Sequence, residues 1–194
     1  MRPKQWTKNV LLFAALVFSL DEADVVANQK LFFWRALAGF GCFCLISSVG
    51  YIYNDIRDRE ADALHPKKKN RPIAAGDLPV GLAWVQLVLM AIVGFAGAWM
   101  LSASFAAVAA AYFCTTLSYS LFFKDYIIID VMMIAAGFLW RAAAGAVVIE
   151  VPISEWLILC TGFLALFLGF NKRRGELSLL DKDAADFRKN LGVY

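Results

Sequence analysis

Asn54, Asp55, Asp58 and Asp62 stand where a long apolar run ends, and Lys67, Lys68, Lys69 and Arg71 follow at once. If the helix continues out of the apolar run, Asn54, Asp58 and Asp62 are spaced i, i+4, i+8. They then lie within roughly 80° of one another on one face, with Asp55 at its edge. A row of oxygen ligands without His or Cys suits a hard cation. Mg²⁺ in particular takes one or two carboxylates and leaves the rest of its shell to substrate phosphates. The lysines and Arg71 are available to meet those phosphates. The same run also reads as a solvated acidic turn followed by a basic loop that only fixes topology. His65 is the single histidine, so no histidine metal site can form, and the Gly-rich, Walker and Gly-x-Ser-x-Gly patterns are absent from the 194 residues.

The elements that must position these residues are membrane spans. The chain is 61% hydrophobic and 18% charged, with its apolar residues in runs of about bilayer length. A net charge of +3 with cations scattered beside the spans excludes a nucleic-acid partner and implies a lipid bilayer. Cys42, Cys44, Cys114 and Cys160 fall inside apolar runs without metal spacing and read as small buried hydrophobes.

Six spans are predicted. The first is a helix from Pro3 to Leu20, about 27 Å long, with Gln5, Lys8 and Asn9 near membrane depth facing a polar cavity. The second runs from Leu31 to Tyr53, with Gly39, Gly41, Ser47, Ser48 and Gly50 for close packing. Val80 to Leu101 is the third, and Ser102-Ala-Ser104 turns into the fourth, Phe105 to Phe123. Ile127 to Val151 and Ser154 to Phe170 complete the set. Of the 19 Lys and Arg residues, all except Lys30, Arg35 and Arg141 then fall on one side, which the positive-inside bias makes cytoplasmic. The expected location is the plasma (inner) membrane, multi-pass, with both termini and the active site cytoplasmic. Arg141 sits in the middle of a span, where an ionisable group costs about 2.5 kcal/mol or more and is a functional candidate by default. Asp130, its nearest carboxylate on that helix, is about 16 Å away along the axis.

Asn54-Asp-x-x-Asp58-x-x-x-Asp62 followed by Arg71-Pro-Ile-Ala-Ala-Gly76 resembles the first aspartate-rich motif of the UbiA-type prenyltransferase superfamily. Arg2-Pro-Lys-Gln-Trp-Thr-Lys-Asn9, the segment from Tyr119 to Lys124, Phe138-Leu-Trp-Arg141-Ala and Lys172-Arg-Arg-Gly-Glu176-Leu resemble one branch of it, the decaprenyl-phosphate phosphoribosyltransferases. The resemblance covers nearly the whole chain. It implies an all-α, UbiA-like membrane bundle as one domain over 1–194, with six helices of an expected nine, the C-terminal ones lacking. It further implies Mg²⁺-dependent transfer of 5-phosphoribosyl from phosphoribosyl diphosphate to a polyprenyl (decaprenyl) phosphate, releasing diphosphate, for cell-wall arabinan precursors. Typical members carry a second aspartate-rich motif where this chain reads Asn171-Lys-Arg-Arg-Gly-Glu176, and cations suit two anionic substrates.

On that resemblance, Asn54, Asp58 and Asp62, with Asp55 in support, are catalytic residues that hold Mg²⁺ on the leaving diphosphate. Lys67, Lys69 and Arg71 neutralise phosphate oxygens. Lys172, Arg173 and Glu176 grip the phosphoribosyl group, and Lys8, Lys124 and Arg141 meet the lipid phosphate. Two alternatives compete: a UbiA-type enzyme that prenylates an aromatic or haem-precursor acceptor, and a non-catalytic membrane protein fragment. The sequence is compatible with a homo-oligomer and leaves polyprenyl chain length open.

Overall fold

The structure, a computed structural model, describes residues 3–20, 25, 27–66, 68–123, 126 and 128–179, with backbone only at 176–179. The described residues are helical and contain no strand. A 3₁₀ segment, Pro3–Leu11, leads into α1 (Leu12–Phe18). Then come α2 (Gln29–Arg57), the short α3 (Arg59–Leu64), α4 (Val80–Leu101), α5 (Ala103–Ser118) with a π turn at Tyr119–Phe123, α6 (Ile129–Val148) and α7 (Glu155–Leu179).

Five of these are long and apolar enough to cross a membrane, one fewer than the six spans expected. The difference lies at the amino end, where a helix from Pro3 to Leu20 is replaced by two shorter pieces. A 3₁₀ helix rises about 2.0 Å per residue, so the 3₁₀ segment and α1 together still cover about 28 Å. The segment gains reach by stretching, at the cost of poorer hydrogen-bond geometry. The other boundaries agree with expectation to within a few residues, except that α7 runs on through the basic cluster. Ser102 caps α5, its hydroxyl accepting from the Phe105 amide at 3.0 Å, which makes the tight turn after α4.

α2 and α6 are the inner helices. Both bury residues around most of their circumference, among them Phe43, Ile46 and Val49 on α2 and Val131, Ala142 and Val148 on α6. α4 buries only Ala83, Met90, Gly94 and Ala98, a single stripe that lies against α2. A Cβ on Gly94 would stand 2.9 Å from Ile46 Cγ1, so this glycine sets the approach of the two helices. Trp99, Met100, Phe163, Phe167 and their neighbours cover the outside with exposed apolar surface, which a soluble domain could not tolerate. The molecule is a multi-pass membrane helix bundle.

Gly145 provides the closest packing. A Cβ there would collide with the Leu12 carbonyl oxygen and lie 3.0 Å from Leu12 Cα. α1 therefore rests backbone to backbone on α6, a contact only glycine permits.

Candidate active site

The end of α2 carries the first group of polar side chains. α2 stops at Arg57, and Asp58 leaves the helical region at φ −91°, ψ 11° before α3 begins. The amide ladder survives this bend: Asp58 N bonds Asn54 O at 2.9 Å and Asp62 N bonds Asp58 O at 2.8 Å. Asp55 and Asp62, seven residues and about two turns apart, therefore remain on one side. Both are buried, at 9% and 3% exposure. Their carboxylates converge on one group, the guanidinium of Arg71. Arg71 Nη1 lies 3.3 Å from Asp55 Oδ1 and bonds Asp62 Oδ2 directly. Lys68 Nζ stands 3.9 Å from Asp62 Oδ1.

The expected stripe is thus redistributed. Asp55, placed at its edge by helical spacing, is the residue that shares a cation with Asp62, while Asn54 accepts a hydrogen bond from the Ser120 hydroxyl. Asp58 is half-buried at the bend. Asp55 and Asp62 are seven residues apart, about 20° from one another around a helix, whereas Asn54 is about 80° from Asp62, so the i, i+7 pair is the one a single cation can bridge.

Arg71 reaches this position because its loop is folded. Arg71 N bonds Lys68 O at 3.0 Å, Ala75 N bonds Arg71 O at 2.7 Å and Leu78 N bonds Pro72 O at 3.0 Å. Gly76 takes φ 85°, a left-handed turn position. Ile73 is buried with Val49, Ile52, Ala83 and Met90 between α2 and α4, and anchors the loop two residues from the guanidinium. Lys69 points outward, exposed.

The same end of α2 is tied to the π turn. Arg57 donates from Nη1 to Ser120 O at 2.5 Å and from Nη2 to Leu121 O at 3.5 Å. A cation on the free carbonyls at a helix C-terminus is favourable in charge and in hydrogen bonding. α6 starts just beyond, after Ile128 at φ 67°, a backbone state costly for a β-branched residue. Its first-turn carboxylate, Asp130, is buried and pairs with Arg173 on α7, Nε to Oδ2 at 2.7 Å. Arg173 is itself 2% exposed. Lys172 and Arg174 on either side are exposed. The ends of α2, α5, α6 and α7 therefore meet at one end of the bundle.

Arg141 lies deeper, buried among neutral partners. Its Nε donates to Asn9 Oδ1 at 2.8 Å, Nη1 to Gly137 O at 2.6 Å and Nη2 to the Tyr112 hydroxyl at 2.8 Å. The guanidinium carbon also stands 4.8 Å from the Tyr112 ring centroid and 5.4 Å from that of Phe138. Asn9 is fully buried and donates in turn to Ser47 Oγ at 3.2 Å and Cys44 Sγ at 3.4 Å. Asn9 does not open onto a cavity, as its position near membrane depth suggested. It joins the amino-terminal segment to Arg141. Lys8 beside it is half-buried.

Of the other expected site residues, Lys67 and Lys124 lie outside the described residues, and Glu176 is helical. Reasoning from sequence missed Ser120, Tyr112 and the Asp130–Arg173 pair. A hydroxyl in mid-span and a carboxylate at a span end were the available signals for the last two, because neither is cheap to bury unpaired.

The donor set can be tested against Mg²⁺. Among the described residues no three His, Cys, Asp or Glu side chains form a preassembled metal group. Two carboxylates do converge, already around a cation, and every candidate donor is a hard oxygen. Two carboxylates completed by phosphate oxygens is an ordinary Mg²⁺ shell, so the residues fit that ion.

Comparison with known proteins gives the family. Residues 10–179 match the UbiA prenyltransferase family. The whole chain is 38% identical to a decaprenyl-phosphate phosphoribosyltransferase of Mycolicibacterium smegmatis, covering 61% of that protein. It is 36% identical to the Mycobacterium tuberculosis protein of the same name, covering 64% of it, and 38% identical to that of Corynebacterium glutamicum, covering 58%. The chain thus spans about 60% of the length of these relatives. With a helical membrane bundle, an aspartate motif at the end of α2 and a family match across nearly all described residues, the chain belongs to the UbiA prenyltransferase family.

Proposed function

We propose that this chain transfers 5-phosphoribosyl from phosphoribosyl diphosphate to a polyprenyl phosphate, decaprenyl phosphate in the first instance. An oxygen of the lipid phosphate bonds the anomeric carbon of the ribose while the bond from that carbon to diphosphate breaks. The acceptor oxygen is already ionised, so no strong general base is required. The product is suited to supplying arabinan precursors for a cell wall.

The observation that carries this reading is the mixture of charge at one end of the bundle. A buried carboxylate pair, Asp55 and Asp62, lies at the end of α2, and cations rather than a second carboxylate cluster lie at the end of α7. Asn54, Asp55, Asp58 and Asp62 hold Mg²⁺, which when bound neutralises charge on the departing diphosphate. Lys67, Lys69 and Arg71 bind phosphate oxygens. Lys172, Arg173 and Glu176 hold the phosphoribosyl group, Arg173 chiefly by fixing the end of α7 through Asp130. Lys8, Lys124 and Arg141 supply positive charge toward the lipid phosphate. The cation bias supports a cytoplasmic position for this end, in the plasma (inner) membrane.

The test is transfer of radiolabel from phosphoribosyl diphosphate into the lipid phase by membranes containing the chain, decaprenyl phosphate and Mg²⁺. Magnesium-dependent label that is lost in Asp58→Asn supports the reaction and its metal site. Absence of label, also in a chain extended at its C-terminus with the matching segment of a relative, overturns it.

A further inference from the structure

We propose that Arg71 stands in for the metal ion in the resting site and is exchanged for it, so that the divalent cation and the diphosphate bind together rather than singly. The inference rests on the metal-site reading above and adds an order of events to it. Asp55 and Asp62 are both buried, and their carboxylates need a positive charge between them. The Arg71 guanidinium supplies it, with Lys68 as a weaker second cation. A divalent cation that takes the same two carboxylates must displace Arg71.

The displaced guanidinium then needs an anion. Ile73 holds the loop between α2 and α4, so Arg71 can turn its side chain without leaving the site, and it is about a quarter exposed. A diphosphate bound to the incoming metal presents oxygens within that reach, and guanidinium groups bind phosphate oxygens in pairs. Metal alone therefore pays for expelling Arg71 with nothing to receive it, whereas metal with diphosphate gives Arg71 a new partner. By reciprocity, each ligand raises the affinity for the other by the same factor.

The experiment measures Mn²⁺ binding by electron paramagnetic resonance to the purified full chain in nanodiscs, with and without phosphoribosyl diphosphate. Wild type, Arg71→Gln, Arg71→Lys and Asp62→Asn are compared. In Arg71→Gln the competing cation is gone, so Mn²⁺ alone binds at least fivefold tighter than to wild type, while the enhancement by phosphoribosyl diphosphate shrinks by a similar factor. Arg71→Lys, which keeps the charge, stays near wild type for Mn²⁺ alone. If Mn²⁺ alone binds Arg71→Gln no tighter than wild type, the exchange is overturned, and the metal site stands provided Asp62→Asn still loses Mn²⁺. If Asp62→Asn binds Mn²⁺ like wild type, the metal-site reading itself fails. Arg71→Gln leaves two buried carboxylates without that cation and melts below wild type in the absence of metal; Mn²⁺ raises its melting temperature by more than it raises that of wild type, and an equal or smaller rise overturns the exchange.

Discussion

Replacing Asn9 with alanine tests whether the amino-terminal segment is held by the charge of Arg141. Asn9 accepts from Arg141 Nε at 2.8 Å, and the other two bonds of that guanidinium run to Gly137 O and the Tyr112 hydroxyl. Hydrogen bonds to charged groups contribute about 1.5–3 kcal/mol, whereas interhelical bonds in membranes average about 0.6 and reach about 1.7 kcal/mol. The upper range applies here. Asn9 is 0% and Arg141 5% exposed, so the lost acceptor is not replaced by bulk water. The bonds from Asn9 to Ser47 and Cys44 are lost as well, although Ser47 keeps its own bond to the Cys44 carbonyl. The expected cost is about 2 kcal/mol. At about 2–4 °C per kcal/mol for a chain of this size, Asn9→Ala melts about 4–8 °C below wild type.

The assay is thermal unfolding in detergent, followed by circular dichroism, on Asn9→Ala, Arg141→Met and the double variant. Arg141→Met removes the charge that Asn9 serves, so in its background Asn9→Ala costs at least about 1 kcal/mol less. A melting temperature for Asn9→Ala within about 1 °C of wild type would refute the reasoning. So would strict additivity of the two substitutions, because it would show that the polar cluster is not a unit.

Four further outcomes are expected. Gly145→Ala forces α1 off α6 because its Cβ meets the Leu12 carbonyl, and it destabilises by about 1–3 kcal/mol in the same melt. Gly41→Ala, whose Cβ meets nothing within 4 Å, is neutral or stabilising. Asp130→Asn leaves Arg173 buried without its carboxylate and costs about 3–5 kcal/mol, while Asp130→Leu with Arg173→Leu costs less, as read from unfolding in detergent. Glu150 is held below the usual carboxylate range by the hydrogen bond from Arg35 at 2.6 Å and by its charge. A depressed folded pKa gives stability that is present above the unfolded value of about 4.3 and is lost as pH falls through the folded one. The small difference in melting temperature between wild type and Glu150→Gln therefore persists at neutral pH and vanishes only well below pH 4.3.

The spans were legible in the sequence because their length and composition are set by the bilayer, as α4 shows, where the expected and observed limits coincide at Val80 and Leu101. The turn at Ser102-Ala-Ser104 was legible for a similarly local reason. The partners of the polar residues were not. Asn9 meets Arg141 across 132 positions, and Asp130 meets Arg173 across two helices, so no spacing rule within one helix could find either pair. The convergence of Asp55 and Asp62 on Arg71 was partly visible, since helical spacing put both carboxylates near one stripe, but the cation they share is set by the folded loop that Ile73 anchors, which no spacing rule gives.

A deeper reason lies in the solvent. In a soluble helix the apolar face is the buried face, and hydrophobic periodicity identifies it. Here the lipid-facing side of α4, with Leu89, Ile92 and Trp99 exposed, is more apolar in bulk than its packed side, which carries Ala83, Gly94 and Ala98. Lipid tails are as apolar as leucine, so burial is driven by close fit and by polar groups that need partners, not by escape from water. Small residues then mark where a helix can be approached, and buried polar residues mark which neighbour approaches it. The proposed reaction draws on the same polar residues: the aspartates that bind Arg71 and the arginine that holds the amino-terminal segment are among the charges it assigns to the metal and the anionic substrates.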